Sequence, residues 1–476
     1  MSSIFEPSVV DQSGSMDKKE IVSLKFGDNG GKNVVQMYDR LASMASSALV
    51  ERELKQDESK FWKESYHQAS EWSPCADRTE STSSRTGKLQ SNTGYILVSA
   101  NGGLNQQRVA VCNAVVVASL LNATLVIPRF LFSNVWKDPS QFGDIYQEEY
   151  FIKTLKDEVN IVKDLPPHLN SLDFKEIGSL ITDADINKEA TPTEYIEKVL
   201  PLLSKNGVIH FLGYGNRLGF DPLPSELQAH PVILLVHDTL LLLVHTVDKV
   251  LLGGYVWSSD GEDQLLTSLK FTGVTVADPD MVALRVGGGG HDVAVYGTFW
   301  AVSAEELRRS GKCPLTPEEA ALVLAALGFT SDTYIYLAGS QIYGGKSRMQ
   351  PLTTLYPRVI TKEDLLSPTE LAPFRNFSSQ LAALDFIVCA TADVFAITDS
   401  GSQLSSLVSG FRTYYGGGNA PTLRPSKKRL AEILSKNQTI EWNEFEARVT
   451  KMISGAQSVR LRGWGQSIYR QPRCPE

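Results

Sequence analysis

The chain has few cysteines for its 476 residues, and none of the five forms a C-x-x-C pair. This spacing argues against the common zinc-binding and thioredoxin-like motifs, and the length excludes a small disulfide-stapled scaffold. Cys112 and Cys389 lie in apolar runs, where a free cysteine packs as a small hydrophobic side chain. Cys75, Cys313 and Cys474 lie in polar, proline-flanked segments, so we expect any disulfide to form among these three.

The chain also has no excess of basic residues. The chain has 46 Lys and Arg against 54 Asp and Glu, which gives a net charge of −8. Proteins that bind nucleic acid neutralise phosphates with clustered Lys and Arg, so nucleic acid is not an expected partner. With 42% hydrophobic and 21% charged residues, the composition is that of a soluble globular protein. At about 150 residues per domain, the length predicts two or three domains.

The sequence has no uncharged apolar run long enough to cross a membrane. The longest apolar stretch, residues 232–255, contains Asp238, Asp248 and Lys249, whereas a spanning helix needs about 20 mostly apolar residues. Residues 1–25 are polar and contain no apolar run of the length that an export signal needs. We therefore predict no membrane span, and no signal or anchor is visible in the sequence.

Several nucleotide and catalytic motifs are absent. There is no G-x-G-x-x-G followed by an acidic residue about 20 positions later, which excludes a Rossmann dehydrogenase. The Gly-Lys-Ser/Thr ending of a P-loop and the G-x-S-x-G elbow of hydrolases are also missing. The seven histidines show no H-E-x-x-H spacing, and two D-x-D matches, Asp183-Ala-Asp185 and Asp278-Pro-Asp280, are of a kind common by chance. No metal site is predicted.

The order of polar, apolar and glycine-rich segments predicts an α/β protein with two Rossmann-like halves. Strand 95–99, a glycine loop, helix 109–121 and strand 123–128 form a βαβ unit, and a second alternating block begins near residue 302. In chain order we predict a polar, partly disordered N-terminal stem with a helix near 34–54 (1–90), a first Rossmann-like domain (91–228), a connecting segment (229–300), a second Rossmann-like domain (301–440) and a closing helix with a tail (441–476).

The first candidate site is the loop Asn101-Gly-Gly-Leu-Asn-Gln-Gln-Arg, between a strand and a helix. Paired glycines let the backbone approach an anion closely, and a helix N-terminus presents free N–H groups and a positive dipole end. This pattern marks Gly102, Gly103, Asn105, Gln106 and Arg108 as candidate binding residues at the carboxyl edge of the first sheet. The alternative is a tight structural turn with a solvated cap.

The second candidate site is the loop that starts at Asp399 and runs into a helix. Serine hydroxyls and helix N–H groups suit a diphosphate, and a carboxylate there suits a base or a ribose hydroxyl. The candidates are Asp399, Ser400, Ser402, Ser405 and Ser406, and the alternative is an ordinary N-capping run. One such loop in each half is more informative than either loop alone, because the two halves of an enzyme with two Rossmann-like domains face each other across a cleft.

Two further loops follow predicted strands. Gly339 and Tyr343 lie in Tyr336-Leu-Ala-Gly-Ser-Gln-Ile-Tyr-Gly-Gly, where the aromatic ring suits stacking on a base and the glycines suit a corner. Asn216 and Arg217 end a strand of the first half, and they suit either a substrate contact or an ion pair between domains.

Taken together, these segments closely resemble the plant O-fucosyltransferase-like family, within the GDP-fucose protein O-fucosyltransferase superfamily. The resemblance covers roughly 70–228 and 305–474. The motifs that carry it begin with Gly94-Tyr-Ile-Leu-Val-Ser-Ala-Asn-Gly-Gly-Leu-Asn-Gln-Gln-Arg, Leu121-Asn-Ala-Thr-Leu-Val-Ile-Pro, Ser140-Gln-Phe-Gly-Asp-Ile-Tyr and Gly215-Asn-Arg-Leu. They continue with Cys313-Pro-Leu-Thr-Pro-Glu-Glu, Ile342-Tyr-Gly-Gly, Ser378-Ser-Gln-Leu-Ala-Ala-Leu-Asp and the run from Asp399 to Gly410.

The resemblance implies a GT-B fold, in which two Rossmann-like domains face each other across a nucleotide-sugar cleft. It implies transfer of fucose, or a related deoxysugar, from GDP-fucose to a hydroxyl of a glycan or protein, with inversion, without metal and with no cofactor. It also implies a place in the Golgi lumen. Under this resemblance Asn105, with Gly102 and Gly103, lines the first domain as a catalytic candidate, and the Asp399 loop with its serines holds GDP.

The chain departs from its family in one motif. Members carry His-Leu-Arg-Phe-Glu just before Asp-Met-Val-Ala, and the arginine contacts the leaving diphosphate. This chain has Ala277-Asp-Pro-Asp-Met-Val-Ala-Leu-Arg-Val instead. Arg285 is the candidate catalytic substitute, although aligning Asp280-Met-Val-Ala with the family places it after the motif. Because loss of one such donor costs about 10²–10³ in rate, the alternative is a catalytically impaired relative that binds a nucleotide or glycan, or an incomplete gene model.

Overall fold

The computed structural model describes residues 30–55, 92–132, 137–156, 159–182, 184–186, 190–213, 281–285, 304–311, 313–339, 345–398, 403–415, 422–436 and 439–455. They form two parallel β-sheets, one in each half of the chain, with helices packed on both. Among these residues no helix is both long enough and apolar enough to cross a membrane.

The first sheet is built around a central, almost entirely buried strand. Its strands are β1 (Tyr95–Ala100), β2 (Thr124–Val126), β3 (Arg129–Phe130), β4 (Ile161–Val162), β5 (Leu180–Ile181) and β6 (Val208–Leu212). The order is β4-β2-β1-β6-β5, with β3 paired to the carboxyl end of β1, and every pairing is parallel. The continuous apolar run of β1 fits this position, because a parallel strand is covered on both faces.

The second sheet contains a reversal of strand order at its centre. Its strands are β7 (Met281–Arg285), β8 (Tyr334–Ala338), β9 (Val359–Ile360), β10 (Val394–Ile397) and β11 (Thr422–Leu423). The order is β11-β10-β7-β8-β9, again entirely parallel. The chain builds outward from β7 through β8 to β9, then returns to the other side of β7 with β10 and β11. Such a topological switch point is where open α/β sheets bind ligands, at the carboxyl ends of the strands.

The helices connect and cover the strands. Helix α1 (Gly30–Lys55) precedes the first sheet. The first half contains α2 (Leu104–Leu120), α3 (Phe142–Ile145), α4 (Glu148–Leu155), α5 (Pro167–Asn170), α6 (Pro192–Lys198) and α7 (Leu200–Asn206). The second half contains α8 (Ala304–Arg309), α9 (Pro317–Ala326), α10 (Gly345–Leu355), α11 (Lys362–Leu365), α12 (Pro368–Leu371), a 3₁₀ turn (Ala372–Phe374), α13 (Ser378–Thr391), α14 (Gln403–Tyr415), α15 (Lys427–Lys436) and α16 (Trp442–Ser454).

Helix α9 begins where its sequence predicts. The Thr316 hydroxyl accepts a hydrogen bond from the Glu319 N–H at 3.3 Å, and the Glu319 carboxylate accepts one from the Thr316 N–H at 2.9 Å. This reciprocal capping box satisfies two N–H groups that the first turn leaves free, and Pro317 at the first helical position has no N–H to satisfy.

Helix α1 lies against the second half of the chain, although it precedes the first half in sequence. Met37, Leu41, Ala45 and Leu49 recur every fourth residue and are buried against α9, α10 and α16. The Arg52 guanidinium donates to the Ala325 carbonyl at the end of α9, at 2.5 Å, and pairs with a glutamate of α16. The sequence predicts this helix but gives no indication of its docking site.

One of the hydrophobic clusters spans both halves of the chain. Helix α2 lies between them and contacts α13 and α14, and α3 also contacts α13. A single cluster of buried side chains therefore runs from the first sheet through α2 into α13 and α14. Two Rossmann-like α/β domains joined in this way form a fold of the GT-B type, which confirms the predicted fold class.

Candidate functional site

The strongest candidate site lies at the switch point of the second sheet. Strand register places Arg285, the last residue of β7, beside Ile397 at the end of β10 and beside Ala338 at the end of β8. Three predicted site segments therefore begin at one carboxyl edge: Arg285 itself, the Gly339 loop and the Asp399 loop. We call this edge, defined by Arg285, Ala338 and Ile397, the switch edge. In the sequence, Arg285 follows the position of the family motif when Asp280-Met-Val-Ala is aligned with the family. In the fold, Arg285 is the last residue of the central strand.

Thr398 is the last described residue before the Asp399 loop. Its side chain is buried, and its Oγ1 has no hydrogen-bond partner among the described residues, while its carbonyl accepts from the Leu315 N–H at 3.0 Å. Buried hydroxyls are normally satisfied, so this one is available to the adjoining loop or to a bound molecule. The loop read from the sequence starts at Asp399 and does not include Thr398.

The turn after β8 is held by a buried polar network. Gly339 has φ +127°, a conformation that suits glycine and that other residues rarely adopt. Its N–H donates to Asp385 Oδ2 at 3.1 Å, and its carbonyl accepts from Lys362 Nζ at 2.7 Å. Asp385 Oδ1 also accepts from the Tyr336 hydroxyl at 2.7 Å. Burial raises the pKa of Asp385 above its ordinary value, although Lys362 and Tyr336 act in the opposite direction.

Sequence reasoning missed Lys362 and Asp385. The one available signal was an aspartate within the apolar helical run Leu384-Asp-Phe-Ile-Val, because a carboxylate is rarely buried without a partner. That signal gives no partner, since Lys362 is 23 residues away in the chain and reaches Asp385 only through the fold.

The glycine loop of the first half uses some of its predicted ligands to close itself. Gly102 has φ +87°, and a Cβ there would meet the side chain of Gln106. Gln106 Oε1 accepts from the Gly103 N–H at 3.0 Å. Asn105 differs, because its amide oxygen is shielded from solvent and has no hydrogen-bond partner among the described residues. Asn105 therefore has an unused acceptor, shielded from solvent, at the start of α2, and its predicted contact with substrate stays a prediction.

Arg108 lies in the junction between the halves. Its side chain is only 3% exposed, and its guanidinium carbon lies 4.0 Å from the centre of the Phe386 ring on α13. Burial lowers the pKa of Arg108 below its ordinary value, and an arginine nevertheless keeps its charge in proteins. The observed contact is a cation–π interaction between the domains. Its predicted contact with substrate stays a prediction.

A carboxylate of the first half caps a helix of the second. Asp138 accepts a short hydrogen bond from the Ser379 N–H and another from the Ser378 hydroxyl at 3.1 Å, both in the first turn of α13. The residue before that turn, Phe377, has no side-chain acceptor, so Asp138 replaces a local N-cap. Burial by itself would raise the pKa of Asp138, but the hydrogen bonds from Ser140 and Ser379 outweigh it and lower that pKa.

The remaining predicted residues divide into two groups. Ser405 and Ser406 are the third and fourth residues of α14, just after the Asp399 loop, and Ser405 is fully buried. The predicted binding residues Asn216, Arg217, Tyr343, Asp399, Ser400 and Ser402 lie outside the described residues.

The D-x-D and cysteine predictions are only partly covered by the described residues. Asp185 caps its own turn through Thr182, at 2.7 and 2.8 Å. Within the described ranges no group of His, Cys, Asp and Glu side chains is arranged to hold a metal ion. Cys112 and Cys389 are buried, as their apolar settings predict, and neither they nor Cys313 form a disulfide among the described residues, whereas Cys75 and Cys474 lie outside them.

Comparison with known proteins assigns the chain to a family. A family model described as GDP-fucose protein O-fucosyltransferase matches residues 95–272 and 258–415. The chain belongs to this family. The two matched ranges together run through the connecting segment that the motif resemblance had left out. Membership makes the chain a glycosyltransferase by family.

Individual relatives agree. The chain is 56% identical to O-fucosyltransferase 8 of Arabidopsis thaliana, over 97% of this chain and 82% of that protein. It is 49% identical to O-fucosyltransferase 2 of the same plant, over 97% and 80%, and 48% identical to O-fucosyltransferase 15, over 92% and 73%. Among solved structures, POFUT1 in complex with GDP is a remote match, with a TM-score of 0.35 and 13% identity over 69% of this chain and 97% of that one.

Proposed function

We propose that this chain transfers fucose, or a related deoxysugar, from GDP-fucose to a hydroxyl of a glycan or protein, with inversion at the sugar. The register of β7 is the observation that carries the proposal, because it sets Arg285 at the switch edge beside the start of the Asp399 loop. Open α/β sheets bind their ligands at such an edge. An arginine there supplies the cation that the family uses at the diphosphate, in a chain whose His-Leu-Arg-Phe-Glu motif is otherwise incomplete.

The chemistry follows from where charge develops. The acceptor oxygen forms a bond to the anomeric carbon while the bond from that carbon to the β-phosphate oxygen breaks on the opposite face. Negative charge then grows on the departing GDP. Arg285 and the N–H groups at the start of α14 stabilise that charge, so we propose that neither a metal ion nor a cofactor is needed.

Asn105 takes the acceptor side. Its spare amide oxygen accepts a hydrogen bond from the acceptor hydroxyl and orients the oxygen toward the sugar. An amide is too weak a base to keep the proton, so the proton passes to the departing phosphate or to water. Glycosyltransferases typically act in the secretory pathway, and we propose the Golgi lumen as the site of this reaction.

Replacing Asn105 by alanine is expected to lower kcat about tenfold, because the acceptor hydroxyl loses the hydrogen bond that orients it toward the sugar. The affinity for GDP is expected to stay close to that of the unchanged chain, since Asn105 lies on the other half. Release of GDP during transfer measures kcat, and calorimetric titration measures the affinity. A variant that loses GDP binding and keeps kcat would place Asn105 on the donor instead.

Titration of the full chain with GDP and with GDP-fucose tests the proposal as a whole. We expect micromolar binding of GDP, together with GDP release that depends on an added glycan or peptide acceptor. The chain lacks the family's His-Leu-Arg-Phe-Glu stretch before Asp280-Met-Val-Ala, and this absence favours a second candidate, a nucleotide-binding relative without catalysis. Binding of GDP without transfer to any acceptor would support that candidate, and no binding by folded protein would exclude both.

A further inference from the structure

One buried ion pair lies outside every predicted site. Lys362 begins α11 and Asp385 lies in the middle of α13, and each side chain is less than a tenth exposed. The ammonium lies 3.2 Å from a carboxylate oxygen. Taking two such charges out of water costs several kcal/mol each, and apolar replacements of buried pairs are often neutral or stabilising. Stability alone is therefore a weak explanation for this pair.

The pair binds both backbone polar groups of Gly339, its N–H and its carbonyl. Asp385 accepts from the Gly339 N–H at 3.1 Å, and Lys362 donates to the Gly339 carbonyl at 2.7 Å. The backbone at Gly339 also adopts a φ of +127°, which few other residues tolerate. The direction in which the chain leaves β8 is thus fixed from both sides by charged groups.

This turn adjoins the switch edge. Gly339 follows Ala338, whose register partner on the central strand is Arg285. The Tyr336 hydroxyl, from within β8, completes the network by donating to Asp385. A shift of this turn would move the chain that follows β8 relative to the position of Arg285.

We infer that Lys362 and Asp385 are positioning residues for the nucleotide end of the site. They act through the Gly339 turn, which they hold beside Arg285, and they leave the reacting atoms to other residues. The inference rests on the proposed function, since it assumes that a GDP-sugar binds at the switch edge. It adds two residues to that site. It predicts that their removal lowers the affinity for the GDP-sugar donor more than it lowers the rate of the transfer step.

The variant Lys362→Met tests the inference, because methionine fills similar space without a charge or a donor. We expect the Kd for GDP and the KM for GDP-fucose to rise about tenfold or more, with a smaller change in kcat, since displacement of a site by about 1 Å is enough for such losses. Lys362→Arg, which keeps a charged donor, is expected to recover part of the affinity.

Tyr356→Phe is the matched control. The Tyr356 hydroxyl donates to the Phe329 carbonyl at 3.3 Å, and both residues precede strands, at the amino edge of the same sheet. This variant loses one buried hydrogen bond of the same half, and we expect it to lower the melting temperature while GDP affinity stays unchanged. The double variant Lys362→Met with Asp385→Asn leaves no lone buried charge, so it provides a folded protein if the single change does not.

The outcomes separate the two ideas. Suppose that the unchanged chain binds GDP and that folded Lys362→Met, or the folded double variant, binds it equally well. That result would contradict the positioning role and leave the proposed function standing. Failure of the unchanged chain to bind GDP would overturn the proposed function and this inference with it. If Tyr356→Phe lost as much GDP affinity as Lys362→Met, the Lys362–Asp385 pair would have only a general structural role.

Discussion

Replacing Arg285 by alanine is expected to lower kcat for transfer by about 10²–10³, the largest effect of any single change considered. The reason, under the proposed function, is that an arginine at this end of β7 supplies positive charge to balance the charge that appears on GDP as the sugar departs. Initial rates of GDP release at saturating GDP-fucose measure the effect. The affinity for GDP is expected to fall as well, because the product already carries that charge.

Two further variants show whether the effect belongs to Arg285. Arg285→Lys keeps the charge but loses the planar fork that binds two phosphate oxygens, so we expect an intermediate rate. Arg358→Ala removes an exposed arginine of the same half, which pairs with Asp332 and stacks on Tyr334, and its rate is expected to be unchanged. An Arg285→Ala variant as fast as the unchanged chain would show that another group neutralises the diphosphate.

Replacing Asp138 by alanine is expected to lower the free energy of unfolding by about 1–3 kcal/mol. The change removes an acceptor of the Ser379 N–H and of the Ser378 hydroxyl at the start of α13, where Phe377 offers no side-chain cap. Urea denaturation followed by circular dichroism measures the loss. Asp185→Ala is the control, because Asp185 is exposed and its hydrogen bonds among the described residues go to Thr182 of the same turn, and it is expected to change stability far less.

The Asp138 contribution is also expected to depend on pH. The folded state lowers the pKa of this carboxyl below its unfolded value of about 3.9. Its stabilisation is therefore fully present above the unfolded pKa and is lost as the pH falls through the folded pKa. The difference in unfolding free energy between the unchanged chain and Asp138→Asn should stay constant from about pH 7 to pH 5 and shrink below about pH 4. A difference that stays constant into the acid range would contradict this assignment.

Local features of the fold could be predicted from the sequence because they rest on neighbouring residues. The glycine loop before α2 and the capping box at Thr316 each lie within a few positions, so their patterns are visible in one reading of the chain. The family also follows from continuous motifs. These features establish two Rossmann-like halves before any strand pairing is known.

The site could be predicted only in part, because its geometry depends on distant pairings. The sequence names Arg285 as a candidate, but its position at the sheet edge is apparent only once β7 is known to lie between β8 and β10, and these two strands come 49 and more residues later. The hydrogen bond from Ser379 to Asp138 joins residues 241 positions apart, and nothing near either residue indicates it. Hydrophobic periodicity predicts which face of an element is buried, but it does not identify the element that covers the face.

The position of α1 has a consequence for how the protein is made. This helix leaves the ribosome before either sheet, whereas α16, part of the surface on which it docks, ends at residue 454. Its stripe of Met37, Leu41, Ala45 and Leu49 must therefore wait until α9, α10 and finally α16 are made, some 270 to 400 residues later, or roughly 14 to 80 seconds at ordinary translation rates. Until then the apolar face is open to chaperones and to aggregation, and a chain that stops before α16 leaves part of that face without its cover.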